Sequence, residues 1–262
     1  VVLPEPDGPM MATDSPLWMV SETSSRMVST PSGLLTCLQS WSARSSTLAE
    51  RSFGMSKRIL FWLLLSAVSP AFAAPANILV MGDSLSAAHG LEADQGWASL
   101  LQQRLVAQGY DYTVVNASIS GETTAGGLTR LPLALEQHQP AIVILELGAN
   151  DGLQGLPIKL MQQNLGRMIA LSSKGGAKVL LIGILLPPNY GPQYTQAFSA
   201  VYPALASHYR LPLVPFLLEG VAQDRKLMQA DGLHPKAVAE PRVLDNVWSK
   251  LAPMLKKPAH QP

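Results

Sequence analysis

Four polar clusters stand along the second two-thirds of the chain, and their residue types answer one another. They are Gly82-Asp83-Ser84-Leu85-Ser86, Asn116-Ala117-Ser118-Ile119-Ser120-Gly121-Glu122-Thr123, Gly148-Ala149-Asn150-Asp151-Gly152 and Asp231-Gly232-Leu233-His234-Pro235. A serine hydroxyl is a weak nucleophile at neutral pH and needs a base beside it, usually an imidazole held in one tautomer by a carboxylate. Ser84 offers the hydroxyl, His234 the base and Asp231 the carboxylate. Asp231 and His234 are close enough in sequence for one loop to aim the carboxylate at Nδ1 while Nε2 faces the serine. Attack on an acyl carbonyl leaves charge on its oxygen, so donors are needed there. The candidates are the Ser84 and Gly121 N–H groups and the Asn150 side-chain amide. Ser84 is also expected to open a helical segment, whose free N–H groups and positive dipole end would favour an oxyanion.

The elements that must hold these groups are readable from apolar patterning. Runs of strand length are Asn77 to Met81, Tyr112 to Asn116, Ala141 to Leu147, Lys178 to Ile184 and Leu213 to Phe216. Between and after them, Trp97 to Ala107, Thr124 to Gln137, Ile158 to Ser173, Tyr194 to Tyr209 and Arg242 to Leu255 carry apolar residues near helical spacing. Continuous apolar strands with helical crossovers predict an α/β domain whose parallel sheet is covered on both faces. In such sheets ligands bind beyond the carboxyl ends of the strands. The first three polar clusters each follow a predicted strand, and the fourth precedes the last helix.

Composition narrows the function classes. The 262 residues are 47% apolar and 14% charged with a formal net charge of +1, which gives no basic surface for nucleic acid. The single cysteine, Cys37, lies outside the patterned region, so thiol catalysis and Cys-based metal sites are not expected. Residues 1–54 are rich in Ser, Thr, Met and Pro and lack periodicity. They read as upstream or extended sequence, with translation starting at Met55. Met55-Ser56-Lys57-Arg58, the apolar Ile59 to Val68 and the small-residue ending at Ala73 predict a signal peptide over 55–73, cleaved after Ala73. The apolar stretch is shorter than the roughly 20 residues a bilayer requires. The expected mature protein, 74–262, is one domain without a stable membrane span, located in the periplasm or secreted.

The four blocks, in this order, resemble the GDSL or SGNH hydrolase superfamily over Ala76 to about Leu255. The finer text, including Glu146-Leu147-Gly148, Asn150-Asp151-Gly152-Leu153 and Pro188-Asn189-Tyr190-Gly191, is similar to the periplasmic thioesterase, lysophospholipase and arylesterase group. The resemblance implies a three-layer αβα, flavodoxin-like sandwich around five parallel strands, with no cofactor and no metal. It implies a triad of Ser84, Asp231 and His234, and an oxyanion hole of Ser84, Gly121 and Asn150. The expected substrates are small-molecule carboxylic esters and thioesters: aryl esters, acyl thioesters and lysophospholipids. Ala149, where close relatives often have a second glycine, is a departure.

Other residues have plainer readings. Asp83 and Asp151 are expected to be structural, bonding the turns that carry Ser84 and Asn150. His89, His138, His208 and His260 have no partner at ligand spacing and are taken as ordinary surface or packing residues. Asn116-Ala117-Ser118 is formally a glycosylation sequon, but at a strand end it reads as part of the fold. Glu146 falls inside an apolar strand, where a carboxylate needs partners the sequence does not name. Leu153 and Leu156, in a Gly-flanked loop, and Pro188 and Tyr190 are expected to form an acyl-binding wall, and the loop could close over a long chain. The rivals to an acyl esterase are a carbohydrate O-acetylesterase and a non-catalytic lipid or flavin binding protein.

Overall fold

Five short, mostly apolar segments pair in parallel, because hydrophobic strands cannot leave either face in water. The computed structural model describes residues 75–256. The strands are β1 (Ala76–Gly82), β2 (Tyr112–Asn116), β3 (Ile142–Glu146), β4 (Lys178–Ile182) and β5 (Leu213–Val214), in the order β2-β1-β3-β4-β5. All the pairings are parallel, with Leu79 opposite Val115 on one side and Val143 on the other. The six α-helices of the described residues are α1 (Trp97–Ala107), α2 (Thr124–His138), α3 (Ala149–Leu153), α4 (Ile158–Lys174), α5 (Pro192–Tyr209) and α6 (Glu240–Leu251).

Alternation along the strands divides the core between the two faces. Ile78, Val80, Ile142 and Ile144 pack with Trp97, Leu101 and Leu105 of α1 and Val243, Val247 and Leu251 of α6. Leu79, Met81, Val143 and Leu145 pack instead with Leu131 of α2, Leu165 and Ile169 of α4, and Phe198 and Tyr202 of α5. This is the three-layer αβα arrangement with a five-stranded parallel sheet. The chain leaves β1 toward β2 and then returns to the other side of β1 as β3. The loops after β1 and β3 therefore diverge and open a crevice at the carboxyl edge.

Several boundaries differ from the sequence expectation for local reasons. β4 stops at Ile182, and Gly183 beyond it still donates its N–H to the Val214 carbonyl at 2.8 Å, where a Cβ would stand 2.3 Å from the Pro215 carbonyl oxygen, so the close approach asks for glycine. β5 ends at Val214, since Pro215 has no N–H to continue a ladder. α5 starts two residues early at Pro192, a residue suited to the first helical turn. α6 starts at Glu240, whose buried side chain accepts the Trp97 N–H at 2.8 Å and so ties α6 to the start of α1. The five-residue α3 was not visible as periodicity. The expected signal peptide (55–73), the 1–54 segment, Cys37 and His260 lie outside the described residues.

Candidate active site

β1 delivers Ser84 through a crowded turn. At Gly82 a Cβ would stand 2.6 Å from both Glu146 Oε2 and Ser86 Oγ, so only glycine lets the chain pass. The Asp83 side chain points inward, accepting the Leu85 N–H at 3.0 Å, and is fully buried. The expected helix after Ser84 does not form. Residues 84–90 make successive turns, with left-handed backbone at Ala88 (φ 58°) and Gly90 (φ 72°), and the first helix begins only at Trp97. Any help for an oxyanion here must come from individual N–H groups rather than a helix dipole.

The loop after β5 brings the other two groups to Ser84. His234 Nε2 lies 2.8 Å from Ser84 Oγ, and His234 Nδ1 lies 2.7 Å from Asp231 Oδ2. Asp231 Oδ1 meanwhile accepts the N–H groups of Leu233 (2.9 Å) and His234 (3.1 Å), which fixes the carboxylate relative to the imidazole. An antiparallel bridge between Met228 and Pro235 closes the loop base. Burial pushes the Asp231 carboxyl up, but the hydrogen bonds from the His234 ring and the two N–H groups outweigh it and hold it at about 2. The arrangement can move a proton from a serine hydroxyl to an imidazole that a permanent anion steadies.

Asn150 comes from α3, whose start at Gly148 has φ 123° and a Cβ path blocked by the Tyr202 hydroxyl at 2.5 Å. Asn150 Nδ2 donates to the Glu122 carbonyl at 2.9 Å and approaches Asp83 Oδ2 only at 3.4 Å. One amide hydrogen is thus committed and the other is loosely held. Gly121 has φ 82° with open space around its missing Cβ, so backbone conformation rather than crowding asks for glycine. Ser84, Gly121, Asn150 and His234 all line one cavity.

A set of buried acids supports this rim from below. Glu146 Oε2 accepts the Ser86 hydroxyl at 2.7 Å and the Asp83 N–H at 3.2 Å, supplying the partners the sequence left unnamed, while Oε1 has none. Burial, with the neighbouring Asp83 charge, pushes the Glu146 carboxyl well above the usual carboxylate range, against the hydrogen bonds from Ser86 and the Asp83 N–H, which lower it. Burial likewise raises Asp83, to about 6, against the Leu85 N–H and the His234 charge, which lower it. Asp151 accepts Thr124 N–H (2.8 Å) and Thr124 Oγ1–H (2.5 Å), clamping the start of α2 to the Asn150 turn. Asn116 Nδ2 donates to the Ser86 carbonyl at 2.8 Å, so the sequon asparagine is engaged in the fold.

The cavity has a volume of about 560 Å³, and most of its wall is apolar. Of the expected acyl wall, Leu153 and Pro188 line it, whereas Leu156 and Tyr190 are not among its lining residues. Tyr190 and Tyr194 act behind it. Their hydroxyls donate to the Leu153 carbonyl (3.0 Å) and the Leu156 carbonyl (3.2 Å), holding the Gly152 to Leu156 loop. Leu185, Leu186 and Pro187, in the same apolar loop as Pro188, line the cavity too, whereas sequence reasoning missed Ile184, Phe216 to Leu218 and Met228 as wall residues. Ile184 and the Phe216 run stand just after β4 and β5, where the carboxyl-edge rule applied to every strand would have pointed. It also set aside His89, whose ring centroid is 4.4 Å from that of His234. Among the described residues, no three His, Cys, Asp or Glu side chains are grouped to hold a metal ion, and no helix is long and apolar enough to cross a membrane.

The chain is similar to proteins of known activity. The model of the GDSL-like lipase/acylhydrolase family matches residues 80–239. The esterase TesA of Pseudomonas aeruginosa is 57% identical over 183 residues, 70% of this chain and 91% of that protein. Thioesterase 1/protease 1/lysophospholipase L1 of Escherichia coli K12 is 43% identical over 183 residues, 70% of this chain and 86% of that protein. A crystal structure of TesA superposes with a TM-score of 0.67 at 57% identity, covering 68% of this chain and 99% of the other.

Proposed function

Since the chain belongs to the GDSL-like lipase/acylhydrolase family and is an ester hydrolase, we propose that it works through an acyl-enzyme on Ser84, with His234 as base and Asp231 as its orienting carboxylate. The observation that carries this reading is the unbroken path Ser84 Oγ, His234 Nε2, His234 Nδ1, Asp231 Oδ2, with gaps of 2.8 and 2.7 Å. His234 takes the hydroxyl proton as Oγ attacks the acyl carbonyl. The N–H groups of Ser84 and Gly121 and the loosely held hydrogen of Asn150 Nδ2 receive the oxyanion. The imidazolium then gives its proton to the departing alkoxide or thiolate, and water repeats the cycle on the acyl-serine. Asp231 keeps its charge throughout and stabilises the imidazolium.

The substrates in this reading are carboxylic esters and thioesters with an apolar acyl group, including aryl esters, acyl thioesters and lysophospholipids. The supporting feature is the wall of Leu153, Ile184, Leu186, Pro188 and Phe216, since each methylene buried there adds about 0.8 kcal/mol. Acetylated sugars would leave that wall unfilled. The site of action is the periplasm or the medium, on the strength of the signal-peptide pattern in residues 55–73. A panel crossing acyl length with oxygen ester, thioester, lysophospholipid and acetylated sugar tests the reading, run beside Ser84→Ala. We expect kcat/KM to climb with acyl length before levelling. A preference for acetylated sugar over every longer acyl ester would overturn the substrate assignment.

A further inference from the structure

His89 stands in the same cavity wall as Ser84 and His234, and its ring packs against the His234 imidazole at 4.4 Å between centroids with the planes 38° apart. This neighbour is built in. The His89 N–H donates to the Ser84 carbonyl at 3.2 Å, and the left-handed residues on either side, Ala88 and Gly90, turn the chain so that His89 stands at the cavity edge. Gln229 joins the two histidine-bearing segments. Its Nε2 donates to the carbonyls of His89 (2.8 Å) and Pro235 (2.9 Å), and its backbone N–H donates to the His234 carbonyl at 2.8 Å. The fit around it is close, since a Cβ at Gly90 would stand 2.5 Å from Gln229 Oε1.

We propose that His89 is a positioning residue for His234: its ring backs the imidazole that serves Ser84 and holds it in the orientation the reaction needs. The inference rests on the Ser84, His234 and Asp231 reading given above. It follows from packing, because a flat ring against the imidazole restricts the rotation that the Asp231 bond to Nδ1 leaves open. The Gln229 bonds to the His89 and Pro235 carbonyls keep the two rings at that separation.

The test is kcat and KM on a small, non-ionising aryl ester for the wild type, His89→Phe and His89→Ala, with Ser84→Ala alongside. His89→Ala is expected to lose about tenfold in kcat with KM little changed, and His89→Phe, which keeps a flat ring in place, to restore most of that loss. An unchanged kcat in His89→Ala, a loss in His89→Phe as large as that in His89→Ala, or a loss carried by KM, with each variant confirmed as folded by circular dichroism, would overturn the proposal. If His89→Ala does not fold, His89→Leu, which fills the space without a flat ring, takes its place. Retained turnover in Ser84→Ala would instead overturn the underlying triad.

Discussion

Two aspartates flank the nucleophile from different regions of the molecule, and their surroundings push them in opposite directions. Asp83, next to Ser84 in the chain, is fully buried under the β1 turn and its carboxyl is raised to about 6. Asp231, 147 positions away by number, has a side chain 40% exposed on the loop beside His234, and is held at about 2. Adjacency in sequence sends the first into the scaffold, since neighbouring side chains at a turn point apart. Three local hydrogen bonds keep the second charged where an imidazolium would form. The β1 turn is therefore a dry support and the 228–236 loop a polar arm, and Ser84 is where they meet.

That division can be broken or sharpened by experiment. The largest effect is expected at the meeting point: Ser84→Ala should lower kcat by about 10⁶-fold in a folded protein, measured on an aryl ester, and near-wild-type turnover would end the account. Asn150→Ala, which removes a proposed oxyanion donor next to the support, should cost about 10²- to 10³-fold in kcat. A loss no larger than a few-fold would assign Asn150 to the scaffold instead, through its bond to Glu122. On acyl substrates, Leu153→Ala should flatten the gain in kcat/KM with chain length, and Leu156→Ala, outside the cavity wall, should alter it less. The reverse order would mean the loop moves Leu156 inward when substrate binds.

Stability should separate the two aspartates as well. The folded state raises Asp83 above its unfolded value, so its favourable contribution is full in acid and is lost as pH rises from about 4 through 6. The folded state lowers Asp231, so its contribution is full above about 4 and is lost as pH falls toward 2. Urea unfolding across pH 2 to 7 should show Asp83→Asn reducing the first slope, to which the raised Glu146 and Glu240 carboxyls also contribute, and Asp231→Asn reducing the second. Parallel curves for the two variants would erase the contrast.

Much of this was legible before the fold. The strands were readable because parallel strands buried on both faces need unbroken apolar runs, and the polar clusters stood out by following those runs. What could not be read depended on contacts between distant positions. Glu146 looked unexplained because its partners, Ser86 and Asp83, lie about 60 residues earlier. His89 looked ordinary because an irregular turn has no spacing rule that would aim it at His234. α3 spans too few residues to show a period, and the expected helix after Ser84 failed because the left-handed turns at Ala88 and Gly90 interrupt it. β5 ends early at Pro215, whose missing N–H cannot continue the ladder.

The central claim, that the carboxylate serving His234 is the distant one and not the adjacent one, is tested most directly by kcat for Asp231→Asn and Asp83→Asn on the same ester. Asp231→Asn should fall by about 10⁴-fold, as expected when the imidazole loses its orienting anion. Asp83→Asn should fall by about tenfold or less, the scale of one weakened hydrogen bond in the support. A loss at Asp83 equal to or greater than that at Asp231 would contradict the account.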